Sequence, residues 1–494
     1  MPNSSDDAEV VLNAPEYQPA STAFETGQLG EMGTTVAARM FVRALPVLVV
    51  VASALIVFSR RPDAFIHPQF WAEDGKYWFA TAYNHGGVAE LFQPHTGYLQ
   101  FLSRFTAMVS MLFPVSWAPG IFVAVAVAVQ VAPAAFLVSE RCSSLIASRA
   151  LRLFLAFLYV AIPNSFEVDA NLTNAQWHLA LLALLVVVAK PPRTAPARVA
   201  DVGIVALSGL TGPFCILLFP VACVFLALRR RPWTAVLVGA VGVTGLAQLV
   251  TLFTSPRGSP GALGASISGF FTIVGRQVFL GAMVGQSGLE HLSHGGDWSA
   301  ISIAAGAAGI AFALAAGMQV RTEVQIVGLF GALVLAASLA SPTSTNPIKD
   351  WVGLSLPGVG GRYWLIPMFA FLALAVGVID QRWDPSRISE WRALHRRTWP
   401  RARSDGARLI SPWVAATMAG AVLVVLATLA IGIPRDWRYP PFVNYHFARY
   451  AAVLARAKPG QAVTIPINPP GWSIRVIGNV GVASRDRASF GSAG

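Results

Sequence analysis

GYLQFLSRFTAMVSMLF, residues 97–113, is the stretch on which the topology of this chain turns. Counted as a membrane crossing, it would reverse the sidedness of every loop that follows. Arg104 sits in its middle, and a guanidinium at bilayer depth is costly. An apolar helix with a charged side instead lies along the membrane surface. The stretch is therefore expected to be an interfacial helix inside a long first external loop, about 60–117. Early in that loop stand Phe65, Phe70, Trp71, Tyr77, Trp78 and Phe79, aromatics of the type that anchors at the membrane boundary.

The rest of the chain fixes the class. Of 494 residues, 55% are hydrophobic and only 12% charged, about half the charged fraction usual in soluble domains. That composition belongs to a polytopic membrane protein. The three cysteines, Cys142, Cys215 and Cys223, make neither a disulfide framework nor a metal-type spacing. Only four of the 36 basic residues are lysines, which with the Ala, Val and Gly richness suggests a GC-rich bacterial source.

Residues 1–38 are expected to form a disordered acidic tail on the cytoplasmic side, carrying Asp6, Asp7, Glu9, Glu16, Glu25 and Glu31. A transmembrane domain then covers 39–433, and a small extracytoplasmic segment covers 434–494. The expected spans are 44–59, 118–138, 150–163, 174–189, 199–211, 213–228, 234–253, 299–318, 324–340, 364–380 and 411–433, eleven in all. Those at 150–163 and 199–211 are short for a span of roughly 20 residues. Arg39 and Arg43 argue for a cytoplasmic N-terminus, although Arg60 and Arg61 weaken that flank. The loops at 139–149, 190–198, 229–233, 319–323 and 381–410 then all lie inside and carry basic residues, as the positive-inside rule requires. The loop 381–410 alone holds eight arginines against three acids. The net charge of +12 is thus a topology signal, with a contact to anionic lipid as a second role, and not a nucleic-acid footprint. An amphipathic stretch near 262–285 belongs to the external segment 254–298. After 433 a helix is expected at 444–457, and QAVTIPINPPGW reads as a strand and turn.

With sidedness assigned, the acids near the membrane can be sorted. Glu73 and Asp74, in FWAEDGKYWF, are external. They are either a solvated turn, which Gly75 suits, or the base of an enzyme acting on a lipid-linked substrate. Glu167 and Asp169, in PNSFEVDANLTNAQWH, are external in the second loop. Glu-x-Asp can offer two oxygens to one Mg²⁺ or Mn²⁺ that bridges phosphate oxygens; the alternative is a polar turn between short spans. On the same side lie His95 and Tyr98 in QPHTGYLQF, and Gln176 and His178 beside Asn171, Asn174 and Trp177. Arg362 and Tyr363 in GGRYWLIP re-enter the membrane there. An arginine at that place meets either a phosphate or lipid headgroups. Glu290, His291, His294 and Asp297 form either a metal site or a solvated loop.

The chain resembles the GT-C superfamily, membrane glycosyltransferases that use polyprenyl-phosphate-linked sugars. The resemblance covers most of residues 40–380. It is carried by WAEDG at the start of a long first loop, the PHTGYLQF helix, FEVDA in the second loop, GLTGPFCILLFP ending at RRR, and the late GRYWLIP. It implies Asp74, ahead of Glu73, as catalytic base. It also implies Glu167 and Asp169 as auxiliary or metal acids, and Arg362 with Tyr363 as the contact for the donor phosphate. His95, Tyr98, Gln176 and His178 would touch substrate. The chain departs from the family in lacking Asp-x-Asp and an oligosaccharyltransferase-type acceptor motif. It also has a doublet in place of a lone Asp, and a small C-terminal part.

Sugar transfer from a polyprenyl phosphate suits these residues, because it needs a carboxylate for the acceptor proton and a cation for the phosphate. The acceptor would be an envelope glycan, lipid or protein at the outer face of a bacterial cytoplasmic membrane. The rival reading is a transporter or flippase of lipid-linked glycans, which would place ionisable groups along a path at mid-membrane depth. A third is an envelope-glycan polymerase or ligase, whose chemistry would sit in a large late external loop.

Overall fold

The computed structural model describes residues 44–255, 262–295, 297–342, 350–382 and 412–478. The acidic tail at 1–38, nearly all of the arginine-rich loop 381–410 and the last residues, 479–494, lie outside the described residues. Helix dominates, and the long helices run in chain order as follows. They are α1 (Ala44–Arg60), α2 (Phe101–Ser110), α3 (Ala118–Leu137), α4 (Arg149–Val160), α5 (Ala175–Val188), α6 (Ala195–Thr211) and α7 (Phe214–Arg229). Then come α8 (Pro232–Thr254), α9 (Ile267–Ser293), α10 (Trp298–Gly317), α11 (Thr322–Ala340), α12 (Gly361–Arg382), α13 (Pro412–Arg435) and α14 (Phe447–Arg456).

Among the described residues seven helices are long and apolar enough to cross a membrane: α3, α8, α9, α10, α11, α12 and α13. Three shorter apolar helices, α1, α5 and α7, accompany them. By length and composition this is a helical membrane protein. Helix α2 has 10 residues, about 15 Å at 1.5 Å per residue, too short to cross a hydrocarbon core of roughly 30 Å. Helix α4, with 12 residues, is likewise shorter than a span.

Two helices form the centre. Every residue of α5 is buried, and α12 is buried nearly throughout. A helix that is apolar on all sides must be surrounded by others. Around this pair α3, α6 and α7 pack on α5, and α4, α9, α10 and α11 on α12. Both central helices begin at the same end of the bundle, where Arg362 at the start of α12 meets Glu167 just ahead of α5.

The segment expected as an amphipathic external stretch is the longer helix α9. The residue preceding Ile267 by four, Leu263, accepts a hydrogen bond from Trp351 N (2.9 Å), and Gln277 Nε2 donates to Leu354 O (2.8 Å) and Leu356 O (2.7 Å). The segment 351–356 thus braces both the approach to α9 and its middle, and Phe279 of α9 packs edge-on against Phe371 of α12 (ring centroids 5.1 Å apart). Helix α9 packs tightly on α10: a Cβ on Gly275 would stand 1.9 Å from Ser302 O. Gly285 breaks α9 with φ 71°, and Asp436 receives the backbone N–H of Ser287 beyond the break (3.2 Å). Gly285→Ala adds a Cβ 2.5 Å from that of Asp436. It is expected to cost about 1–3 kcal/mol, read as a lower unfolding midpoint in detergent.

Arg60 and Arg61, at the end of α1, are each 1% exposed, so they are not headgroup-facing charges. Arg60 donates to the carbonyls of Val160 (2.7 Å) and Ile162 (2.9 Å), satisfying the C-terminal end of α4. The opposite end of the bundle is held by ion pairs between its basic residues and carboxylates. Arg141 meets Asp201 (2.6 Å), Arg229 meets Glu323 (2.7 Å), and Arg321 meets Asp380 (3.6 Å). Residues that signal topology in the sequence therefore also pin helices together.

The C-terminal part folds back. Helix α14 and an antiparallel hairpin, β1 (Ala462–Ile467) and β2 (Trp472–Ile477), follow α13, in register Val463↔Val476 and Ile465↔Ile474. Asn468 in the hairpin turn pairs with the first loop: Ala72 N donates to Asn468 O (2.5 Å), and Asn468 N to Phe70 O (3.2 Å).

Candidate active site

The first loop sets one wall. Trp71 is held by the Asn468 bridge, Ala72 takes a left-handed φ of 39°, and a π-helical turn, Asp74–Phe79, follows. That turn aims the two neighbouring acids differently. Asp74 points inward, 3% exposed, and its carboxylate accepts from Leu172 N (3.1 Å), Thr173 N (2.8 Å) and Thr173 Oγ1 (2.7 Å). It clamps the second loop to the first. Burial pushes its carboxyl up to about 7, against the pull of those hydrogen bonds.

Glu73 points the other way, into a cavity of about 290 Å³. Among the described residues no other side chain hydrogen-bonds its carboxylate. Burial raises that carboxyl above the usual range; Glu167 adds to the rise, while Arg362 opposes it. The ordering expected from the sequence, Asp74 ahead of Glu73, does not match the geometry: Glu73 lines the cavity and Asp74 does not. The reason is the phase of the π turn.

A tight turn supplies the next wall. Thr96 and Gly97 have φ of 51° and 88°, the two left-handed centres of a type I′ turn. It closes through His95 N to Tyr98 O (2.9 Å) and Tyr98 N to His95 O (3.2 Å), putting both rings on the cavity. His95 lies over Tyr77, with ring centroids 4.2 Å apart. Burial, helped by the charge of Arg104, lowers its pKa to about 4, so the imidazole is neutral at pH 7.

Three helix N-termini converge on the remaining side. Helix α5 presents Asn174, Gln176 and Trp177, α7 presents Pro213 and Phe214, and α12 presents Arg362 and Tyr363. Such ends carry partial positive charge and spare N–H groups, which together favour an anion. Glu167 occupies that position here. It is ion-paired with the Arg362 guanidinium and accepts from Arg362 N (3.0 Å). Tyr363 OH lies 3.4 Å from Arg362 Nη2. Away from this polar end, the walls are apolar: Ile216 and Leu217 of α7, Leu252 of α8, Val334 and Ala337 of α11.

Two expected residues lie elsewhere. Asp169 is 3% exposed and faces into the protein, accepting from Gln130 Nε2 (2.6 Å) and Tyr439 OH (2.7 Å), with Arg60 3.6 Å away. Glu167 and Asp169 thus serve different cations on different sides, and the pair does not fit a shared divalent ion. His178 is buried between Tyr159 OH (2.6 Å) and Val168 O (3.1 Å). At about 100° per helical residue, a position next to Gln176 and Trp177 turns it away from the cavity. In the stretch holding Glu290, His294 bonds the Glu290 carbonyl oxygen (2.7 Å). No group of three or more His, Cys, Asp or Glu placed to hold a metal occurs among the described residues.

Several cavity residues were not singled out for the site from sequence. Trp71 and Trp78 read as interface anchors, and Thr96, Gln100 and Thr173 lie inside quoted stretches without being picked out; all five line the cavity. Proximity to the Glu-Asp doublet was the available signal for the tryptophans. Comparison with known proteins finds no matching family model and no matching curated protein.

Proposed function

We propose that this protein is a membrane glycosyltransferase. In this reading it moves a sugar from a polyprenyl-phosphate donor to an envelope glycan, lipid or protein acceptor at the outer face of the cytoplasmic membrane, with inversion. One observation carries the reading. A single cavity joins a polar end, made by three helix N-termini, Arg362, Glu73 and Glu167, to an apolar wall from α7, α8 and α11. An anion with a long apolar tail is the ligand such a cavity suits.

The donor phosphate takes the place held by the Glu167 carboxylate, against Arg362 and the α12 N-terminus. Tryptophan faces (Trp71, Trp78, Trp177) and neutral hydrogen-bonding groups (Gln176, Tyr98, neutral His95) surround a sugar. The acceptor hydroxyl attacks the anomeric carbon as its proton passes to Glu73. The bond from that carbon to the phosphate oxygen breaks, and the electron pair leaves on the phosphate, where Arg362 balances the charge. One displacement inverts the centre, as in single-displacement glycosidases.

The test is transfer of radiolabelled sugar from a polyprenyl-phosphate donor by the purified full chain, with product stereochemistry by NMR. Retention of configuration would overturn the single displacement. Movement of intact lipid-linked glycan across a vesicle membrane without sugar transfer would favour the carrier reading. Arg362→Gln is expected to raise KM for the donor by about 10–100-fold, the value of a charge-assisted contact of about 1.5–3 kcal/mol. An unchanged KM would remove Arg362 from phosphate binding.

A further inference from the structure

A second, more open groove of about 670 Å³ runs along the outside of the bundle at the same end, and shares no lining residue with the cavity. Its floor is Trp117 and the first two turns of α3, with Gly120, Ile121 and Ala124. One wall is 66–69, and the other is 444–449, where α14 begins. The walls are fixed by the fold. Gln69 is buried and donates to Asn444 Oδ1 (3.3 Å), while Tyr445 N donates to Gln69 Oε1 (3.3 Å). Phe447 anchors the second wall, 4% exposed and with its ring centroid 5.1 Å from that of Phe70.

The chemistry of the groove has one sign. That sign is set by Arg449, beside His446 on one wall and facing His67 on the other, and no Asp or Glu is among the described lining residues. Beneath them the outer side of α3 continues as exposed Ala124 and Ala128, in a helix long and apolar enough to cross a membrane. The recess thus sits directly above an apolar face that the described residues leave exposed.

We propose that this groove binds the headgroup of an anionic phospholipid, with the acyl chains lying against α3. The phosphate meets the planar fork of Arg449, and the two imidazoles add N–H donors across the recess. The apolar floor explains why a lipid, and not a free phosphate, is the occupant: a soluble anion would leave α3 uncovered. A zwitterionic lipid would bring its own cation to a recess that already holds Arg449.

The full chain, purified in neutral detergent, would be titrated with phosphatidylglycerol, phosphatidylcholine and glycerol phosphate, and unfolding followed by tryptophan fluorescence. Phosphatidylglycerol is expected to raise the midpoint, and the other two to leave it unmoved. Arg449→Gln is expected to weaken the apparent affinity for phosphatidylglycerol about fivefold. The variant His67→Gln/His446→Gln/Arg449→Gln should lose more. Arg193→Gln, an exposed arginine at the opposite end of the bundle, should keep the full response. The proposal is overturned if phosphatidylcholine stabilises equally, if glycerol phosphate alone reproduces the shift, or if Arg449→Gln responds like the unaltered chain. A lipid-free midpoint of Arg449→Gln equal to that of the unaltered chain would show that the variant folds.

Discussion

Glu73→Gln is expected to lower the rate of sugar transfer by about 10²–10⁴-fold, the usual worth of a positioned general base. The unfolding midpoint should stay put, because no other described side chain hydrogen-bonds this carboxylate. The amide keeps the size of the residue and cannot accept the acceptor proton. The pH profile gives an independent check. A base works only when ionised, and burial raises this carboxyl above the ordinary range. Transfer should therefore climb with pH, reach half its plateau above the ordinary carboxylate range, and level off beyond it. Glu167 is one cause of the rise, so Glu167→Gln should move that limb toward lower pH. A rate unchanged in Glu73→Gln would remove this residue from the chemistry.

Asp74→Ala should behave in the opposite way, losing stability first and activity as a consequence. The substitution strips acceptors from the N–H groups of Leu172 and Thr173 and from the Thr173 hydroxyl. At about 1–3 kcal/mol for each buried group left unsatisfied, it is among the most damaging single changes available in this loop. Asp74→Asn is milder and changes the pH dependence. The folded carboxyl sits at about 7 against an ordinary 3.8. Between those values the folded protein holds a proton that the unfolded chain has released. Stability from this group is therefore fullest below pH 3.8 and declines as pH rises through about 7. The asparagine variant should flatten that slope, visible in unfolding midpoints measured from pH 4 to pH 8. If Asp74→Ala kept its midpoint and lost only transfer, the two acids would have to exchange roles.

The contrast between these neighbours shows where sequence reading stops. Long apolar stretches announce their helices, and α3, α8, α10, α11, α12 and α13 fall close to the expected spans because solvent transfer alone defines them. Arg104 in a short apolar stretch argues against a crossing at 97–113, and the helix there, α2, is ten residues long and not among the candidate spans. The turn at HTGY is also local, and it brings His95 and Tyr98, read from sequence only as lying on the same side, together on the cavity. The facing of Glu73 and Asp74 is different, since it depends on the left-handed Ala72 and a π turn braced by a hairpin far along the chain. Asp169 and His178 turn inward because buried partners on α3 and α4, Gln130 and Tyr159, await them. Arg60 and Arg61 look like flank charges, yet one of them closes the end of α4. Pairings of this kind join residues from 19 to 102 positions apart, and no local pattern reveals them.

The bond between Ala72 and Asn468 sets an order of events. During synthesis residue 72 emerges long before residue 468, so every helix has been made while Glu73 still lacks its brace. Competence would then arrive in one late step, when the hairpin docks, and not gradually as the bundle assembles. A protein cut short after α13 would keep the helices before it and lack the hairpin that braces the segment carrying Glu73.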